Sequence, residues 1–285
     1  MPILTAEELV QNLPRPFRGK ITRSIAKGVM HLLSVDKVNA MYDRVADKKG
    51  PDFTKALLED QNIRYRIGNA DRLDQLPDGP FITISNHPYG HLDGIIIVDI
   101  FGHLRPDFKV MVNALISRIR AMGQNFITVV PIGKKRTEAK SESISGVRAT
   151  MQHLKDGGCV GFFPSGAVSD LNLKEKCVRD REWTEAAIKQ IRHAKVPIVP
   201  VRFFDGNSKF YYRLGAFLGP AIRLLRLPTE ATNKKNTEPR VGIGEIISVE
   251  RQKECTSLEE FGRMLRESVY GMPLPENWSY PKENQ

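Results

Sequence analysis

A chain of 285 residues exceeds one average domain yet fits a single α/β unit with a helical appendage. Its 41% hydrophobic and 27% charged residues exclude wholesale disorder and a protein that crosses a membrane many times. A formal charge of +10 favours polyanions, either nucleic acid or anionic lipid, and is equally compatible with a merely solvated basic surface.

The cysteines, Cys159, Cys177 and Cys255, are odd in number and none forms a CxxC pair, so reduced thiols and no structural metal are expected. The opening MPILTAEELVQNLPRPFRGK carries acids and prolines where an export signal needs a basic start and an apolar stretch. The strongest apolar run, Gly94 to Ile100, is interrupted by Asp99 and falls short of the roughly 20 residues that cross a bilayer. A cytoplasmic protein without a transmembrane helix is expected.

From Pro16 to Val35, Ile21, Ile25, Val29, Leu32 and Leu33 recur at helical spacing, with Arg18, Lys20, Arg23 and Lys27 around them. Such a basic amphipathic helix suits a lipid headgroup layer, and packing on the main domain is the alternative. A second helix is expected over about 38–61, followed by a strand-like IRYRIG from Ile63 to Gly68. After the turn cluster LPDGP (Leu76 to Pro80), short apolar strands alternate with helices, the rhythm of an α/β sheet. Strands are expected at Phe81–Ser85, Lys109–Val112, Ile127–Val130, Cys159–Phe163, Ile198–Phe203 and Arg240–Ile243, with helices over about 94–102, 114–122, 141–155 and 182–194. The parse is an N-terminal helical, membrane-docking region over 1–64 and an α/β domain over 65–285.

The strand at Phe81–Ser85 runs into Asn86, His87, Pro88, Tyr89, Gly90, His91, Leu92 and Asp93. Polar residues at a strand end are where α/β proteins build sites. Histidine is suited to accept a proton near neutral pH, and a carboxylate on its other nitrogen fixes the tautomer. Pro88 and Gly90 can fold Asp93 back toward His87, although a His and an Asp this close in sequence also serve as caps or loop residues. His91, with one residue between it and Asp93, reads as a loop or pocket-lining residue.

Three later segments follow: ITVVPIGKK (127–135), GFFPSGAVSD (161–170) and VPIVPVRFFDGNS (196–208). With NHPYGHLDG they resemble, in order, the four blocks of the glycerolipid acyltransferase family of the lysophosphatidate acyltransferase type, over roughly residues 65–250. NHPYGHLDG and FPSGAVS look most like its bacterial hemolysin-like branch, related to ornithine-lipid and glycine-lipid O-acyltransferases. The resemblance implies an acyltransferase-type mixed sheet flanked by helices and direct transfer of a fatty acyl group from acyl carrier protein or acyl-CoA to a lyso-lipid hydroxyl, with no other cofactor and no metal. It makes His87 the base and Asp93 its orienter, and puts Asn86, Lys134, Lys135, Pro164, Ser165, Gly166 and Ser169 on the substrate side, although by themselves Lys134 and Lys135 read equally as a solvated basic turn and Pro164–Gly166 as an ordinary turn. No GxSxG elbow or activated cysteine accompanies it, so no acyl-enzyme is expected.

Two departures from the family pattern stand out. Five residues, rather than four, separate His87 from Asp93. In the third block, Ser165, Ala167 and Val168 stand where the family has Glu, Thr and Arg. A guanidinium fork is the natural partner of a phosphate, so its loss points to a lyso-aminolipid acceptor, with lysophosphatidate as the alternative if Lys174 or Arg202 takes the arginine's place in space. The basic, partly apolar stretches Leu171–Trp183 and Arg213–Lys235 suit an anionic membrane surface, on the inner face of the cell membrane. A basic lipid- or nucleic-acid-binding protein without activity is the reading from another class. No helix-turn-helix, zinc finger or RNP motif accompanies the charge, so nucleic acid is not expected as a partner.

Overall fold

The computed structural model describes residue 28 and residues 30–113, 116–129 and 138–282, the backbone alone at 138–144 and 221. In chain order the elements are α1 (Val35–Asp43), α2 (Gly50–Asp60), β1 (Arg66–Gly68), β2 (Ile82–Ser85), α3 (His91–Leu104), β3 (Lys109–Asn113) and β4 (Phe126–Val129). There follow α4 (Glu138–Lys155), β5 (Val160–Phe162), β6 (Asp170–Asn172), β7 (Cys177–Arg179), α5 (Glu185–Ala194) and β8 (Ile198–Phe203). The chain ends through α6 (Lys209–Leu218), α7 (Pro220–Leu225), α8 (Leu227–Thr232), β9 (Arg240–Ile243), α9 (Val249–Lys253), α10 (Leu258–Tyr270) and β10 (Trp278–Ser279).

Eight strands form one mixed sheet in the order β10-β1-β9-β8-β2-β5-β3-β4, the expected α/β architecture. From β8 to β4 all neighbours are parallel, while β9 runs antiparallel to β8 and β10 antiparallel to β1. All four β2 residues are buried, as a central parallel strand covered on both faces requires. Alternation along β8 sends Val199, Val201 and Phe203 into the core shared with α2 and α3, and Ile198 into the core shared with α5 and α10. The chain leaves β2 toward β3 on one side and β8 toward β9 on the other, and a crevice opens at the carboxyl ends where such connections part.

Several elements differ from expectation. The helix expected over 38–61 is two helices, because the second starts afresh at Gly50 with Pro51 in its first turn. Of the region 1–64, the stretch 35–60 is built into the main body: Met41, Tyr42, Phe53, Leu57 and Leu58 share a core with Ile96 and Phe101. Arg18, Lys20, Arg23 and Lys27 lie outside the described residues. Where a helix was expected over 114–122, two 3-10 turns, Ile116–Arg118 and Arg120–Asn125, bury Ile119 and Met122 three residues apart. The stretch 171–183 contains the β6–β7 hairpin, and 213–235 folds as parts of three short helices. Among the described residues, no helix is long and apolar enough to cross a membrane.

Candidate active site

The site begins where β2 stops. Asn86 is buried, and its side-chain amide both donates to the Phe203 carbonyl (2.9 Å) and accepts from the Phe203 N–H (2.8 Å). It therefore extends the β2–β8 pairing by one rung, and its amide is engaged in the scaffold. Pro88 and Tyr89 carbonyls are held by Asn207 Nδ2 at 3.3 and 3.0 Å, and the Tyr212 hydroxyl donates to the Pro88 carbonyl at 2.7 Å. Gly90, at φ +83°, then reverses the chain into α3. A side chain there would strain the backbone and meet Val168 at 3.0 Å.

That reversal brings Asp93, fully buried in the first turn of α3, back to His87. Its Oδ2 accepts the N–H groups of Tyr89 (2.9 Å) and Gly90 (2.8 Å) and stands 3.0 Å from His87 Nδ1. The ion-pair contact is close but lacks the alignment of a straight hydrogen bond. Burial pushes the Asp93 carboxyl up to about 6, against the opposing pull of His87 and the two backbone donors. The five-residue spacing is thus accommodated by the Gly90 reversal. His87 retains 18% side-chain exposure, its ring lies 4.0 Å from that of Phe163, and its Nε2 has no partner among the described residues.

His91 sits at the start of α3, with its Nδ1 buried and without a hydrogen bond. Burial, with Lys234 and His87 adding repulsion, drives its pKa down to about 3. An imidazole that resists protonation so strongly is a poor base near neutral pH.

The third-block loop lies against this turn. Pro164 is buried, and its carbonyl accepts the N–H (2.9 Å) and hydroxyl (3.2 Å) of Thr184. The Ser165 hydroxyl closes a local turn onto the Ala167 carbonyl at 2.7 Å. Gly166, at φ +64°, is exposed, with open space where a Cβ would stand. The Ser169 N–H donates to the His87 carbonyl at 2.9 Å, and its buried hydroxyl donates to Asp180 Oδ1 at 2.5 Å. Lys134 and Lys135 lie outside the described residues.

Two residues that sequence reading did not single out tie these parts together. Asp180, from just after β7, accepts the His87 N–H (3.2 Å) and the Ser169 hydroxyl on one oxygen and Trp183 Nε1 (3.1 Å) on the other. Its own N–H donates to the Tyr270 hydroxyl at 2.8 Å. Arg223 of α7 is 2% exposed and donates to the Ser169 (2.8 Å) and Val168 (3.2 Å) carbonyls while pairing with Asp170 at 2.6 Å. An arginine does meet the third block, but from another helix and already engaged. Arg202 spends its Nη1 on the carbonyls of Tyr270 and Met272, each at 2.6 Å. On α8, Glu230 is fully buried. Its burial, which would raise the pKa, is outweighed by hydrogen bonds from Ser208 and Lys234 that hold the carboxyl low.

The site is thus a histidine–carboxylate pair at the carboxyl edge of parallel strands in an α/β fold, an arrangement that can carry a proton transfer. The profile described as Acyltransferase matches residues 11–274, and the chain belongs to that family of enzymes. A protein of Bacteroides thetaiotaomicron named lyso-glycine lipid O-acyltransferase is 27% identical over 196 residues, 68% of this chain and 67% of its own length. Its namesake from Phocaeicola vulgatus is 23% identical over 258 residues, 88% of each. The crystal structure of the 1-acyl-sn-glycerophosphate (LPA) acyltransferase PlsC from Thermotoga maritima superposes with a TM-score of 0.51 at 16% identity, over 94% of this chain and 86% of that one. At that identity the likeness speaks for the fold.

Proposed function

We propose that this acyltransferase moves a fatty acyl group from a carrier thioester, on acyl carrier protein or coenzyme A, to the hydroxyl of a lyso-lipid, with His87 as general base. The 3.0 Å approach of His87 Nδ1 to the buried Asp93 carboxylate carries this reading, because it leaves Nε2 to face a substrate hydroxyl. Nε2 takes the hydroxyl proton as the oxygen attacks the thioester carbonyl, giving a tetrahedral oxyanion and an imidazolium stabilised by Asp93. Collapse breaks the C–S bond, and Nε2 passes its proton to the departing sulfur, which leaves as the carrier's free thiol. One ester forms, one thioester is lost, and the base is restored.

The acceptor is a lyso-aminolipid with a carboxylate headgroup, and lysophosphatidate is the competing substrate. Two relatives bearing the name lyso-glycine lipid O-acyltransferase support this. So does the engaged state of Arg223, whose two terminal nitrogens hold the Ser169 and Val168 carbonyls and whose guanidinium pairs with Asp170, so that it is not free as a phosphate fork. Lys174, at the exposed tip of the β6–β7 hairpin, supplies a point charge rather than a fork. Purified protein is offered one acyl thioester with lyso-glycine lipid, lyso-ornithine lipid and lysophosphatidate in parallel, products being read by mass spectrometry. A higher kcat/KM for a lyso-aminolipid is expected. A preference for lysophosphatidate overturns the acceptor assignment, and absence of transfer to all three overturns the reading itself.

A further inference from the structure

The helices that cover the His87 turn wear their apolar side outward. On α6, Phe210 and Phe217, seven residues apart, share a face turned away from buried Tyr212, Leu218 is exposed at the helix end, and Phe217 is 75% exposed. On α7, Ile222, Leu224 and Leu225 are exposed around the buried Arg223. The strip continues onto the hairpin that packs against α6, where Leu173 is exposed. It reaches Leu32, beside the point where Thr229 of α8 donates to the Leu33 carbonyl. Exposed apolar side chains gathered on neighbouring elements in this way mark an interaction site.

Charge identifies the occupant. Lys209 and Arg213, on the same helix, and Lys174 and Lys176, on the hairpin, are all exposed around the strip, and the Arg226 guanidinium lies 5.0 Å over the Phe210 ring. Aromatic and leucine side chains ringed by cations match an anionic bilayer surface, where apolar side chains enter the acyl boundary and cations stay among the headgroups. The inner side of the same layer grips the site: the Tyr212 hydroxyl holds the Pro88 carbonyl, Arg223 holds the Val168 and Ser169 carbonyls, and Leu227 lies against Gly90.

We propose that the outer face of α6 and α7 is the surface by which this enzyme sits in an anionic lipid bilayer. This deepens the acyltransferase reading and rests on it, since a lyso-lipid acceptor resides in that layer. The face then sets the His87 turn one helix layer from the membrane, so the acceptor's hydroxyl is reached without the lipid being drawn fully into water.

The test uses the full chain and vesicles of phosphatidylethanolamine with phosphatidylglycerol, and compares wild type with the double variant Phe217→Ser/Leu218→Ser and with Arg213→Gln. A control, Leu104→Ser, changes an apolar residue exposed at the end of α3. Co-sedimentation of the double variant is expected to fall at least about tenfold. Arg213→Gln should lower it about fivefold at low salt and less at high salt, and the control should leave it unchanged. Both face variants should melt like wild type and retain acyl transfer to lyso-lipid dispersed in detergent. Vesicle binding that survives the double substitution overturns the proposal. So does a wild-type dimer that the double variant dissociates while vesicle binding is unchanged, since a second copy would then cover the face. Failure of every protein to transfer acyl groups overturns the acyltransferase reading and leaves the sedimentation result to decide the docking face.

Discussion

The Asp180 carboxylate takes the backbone N–H of His87 at 3.2 Å, across 93 positions of sequence, and takes the Ser169 hydroxyl on the same oxygen. A single buried side chain thereby fastens the start of the His87 turn to the third-block loop. Removing it leaves three donors in the interior without an acceptor, each costing about 1–3 kcal/mol. Asp180→Ala is expected to lower kcat by about 10–100-fold and to reduce Tm. Asp180→Asn, which keeps one acceptor, should recover part of both. A kcat unchanged in Asp180→Ala would remove this residue from the positioning of His87.

His87→Ala is expected to cost about 10²–10⁴-fold in kcat/KM while its melting curve stays close to wild type, since the ring is partly exposed and only its backbone is built into the hydrogen-bond frame. His91→Ala should be mild. Its ring has a pKa driven down to about 3, too weak a base to carry the proton at neutral pH. An inactive His91→Ala protein alongside an active His87→Ala protein would reverse the assignment.

Asp93 sets a trade between stability and activity. Burial raises its folded-state pKa from 3.8 to about 6, so between those values the native chain binds more protons than the unfolded chain. Stability from this group is therefore greatest below about pH 4, declines as pH rises toward 6, and is gone above it. Asp93→Asn is expected to be more stable than wild type at pH 7.5 by on the order of 1 kcal/mol, with the gain shrinking as pH falls. Its kcat should drop about 10²–10⁴-fold. In wild type, kcat/KM should fall as pH drops below about 6, where the carboxylate takes up its proton. Denaturant melts at three pH values check the sign, and a less stable Asp93→Asn protein at pH 7.5 contradicts it.

Gly90→Ala tests the reversal that makes the five-residue spacing workable. At φ +83° a side chain costs about 1–2 kcal/mol, and contact with Val168 at 3.0 Å adds to it. Both Tm and kcat are expected to fall, with KM for the thioester changed less. Full activity in Gly90→Ala would show that the turn tolerates another path.

The sheet was legible because its strands are short apolar runs set off by turns, and Phe81–Ser85 and Ile198–Phe203 fall almost where the pattern puts them. The His87–Asp93 approach was legible because both members lie within one turn. What the pattern concealed is long-range or local in the wrong period. Ile119 and Met122 look helical, yet three-residue spacing also fits a 3-10 turn. The family resemblance put Asn86 on the substrate side, and only the neighbouring strand reveals that Phe203 uses its amide. The basic stretch Arg213–Lys235 announced a charged surface while hiding that Arg223 points inward beneath Val168 and Ser169. No spacing rule relates Arg223 to a loop more than fifty positions earlier.

The fastening of the His87 turn by distant groups also orders events during synthesis. His87 and Asp93 emerge early, but Asp180 holds the turn at one end, while Asn207 and Tyr212 hold the carbonyls of Pro88 and Tyr89 at the other. A nascent chain stopped before residue 180 possesses His87 and Asp93 and lacks every one of those clamps. The turn therefore reaches its held form in stages, with Asp180 first and Asn207 and Tyr212 after it, and the loop that carries His87 waits on residues made well over a hundred positions later.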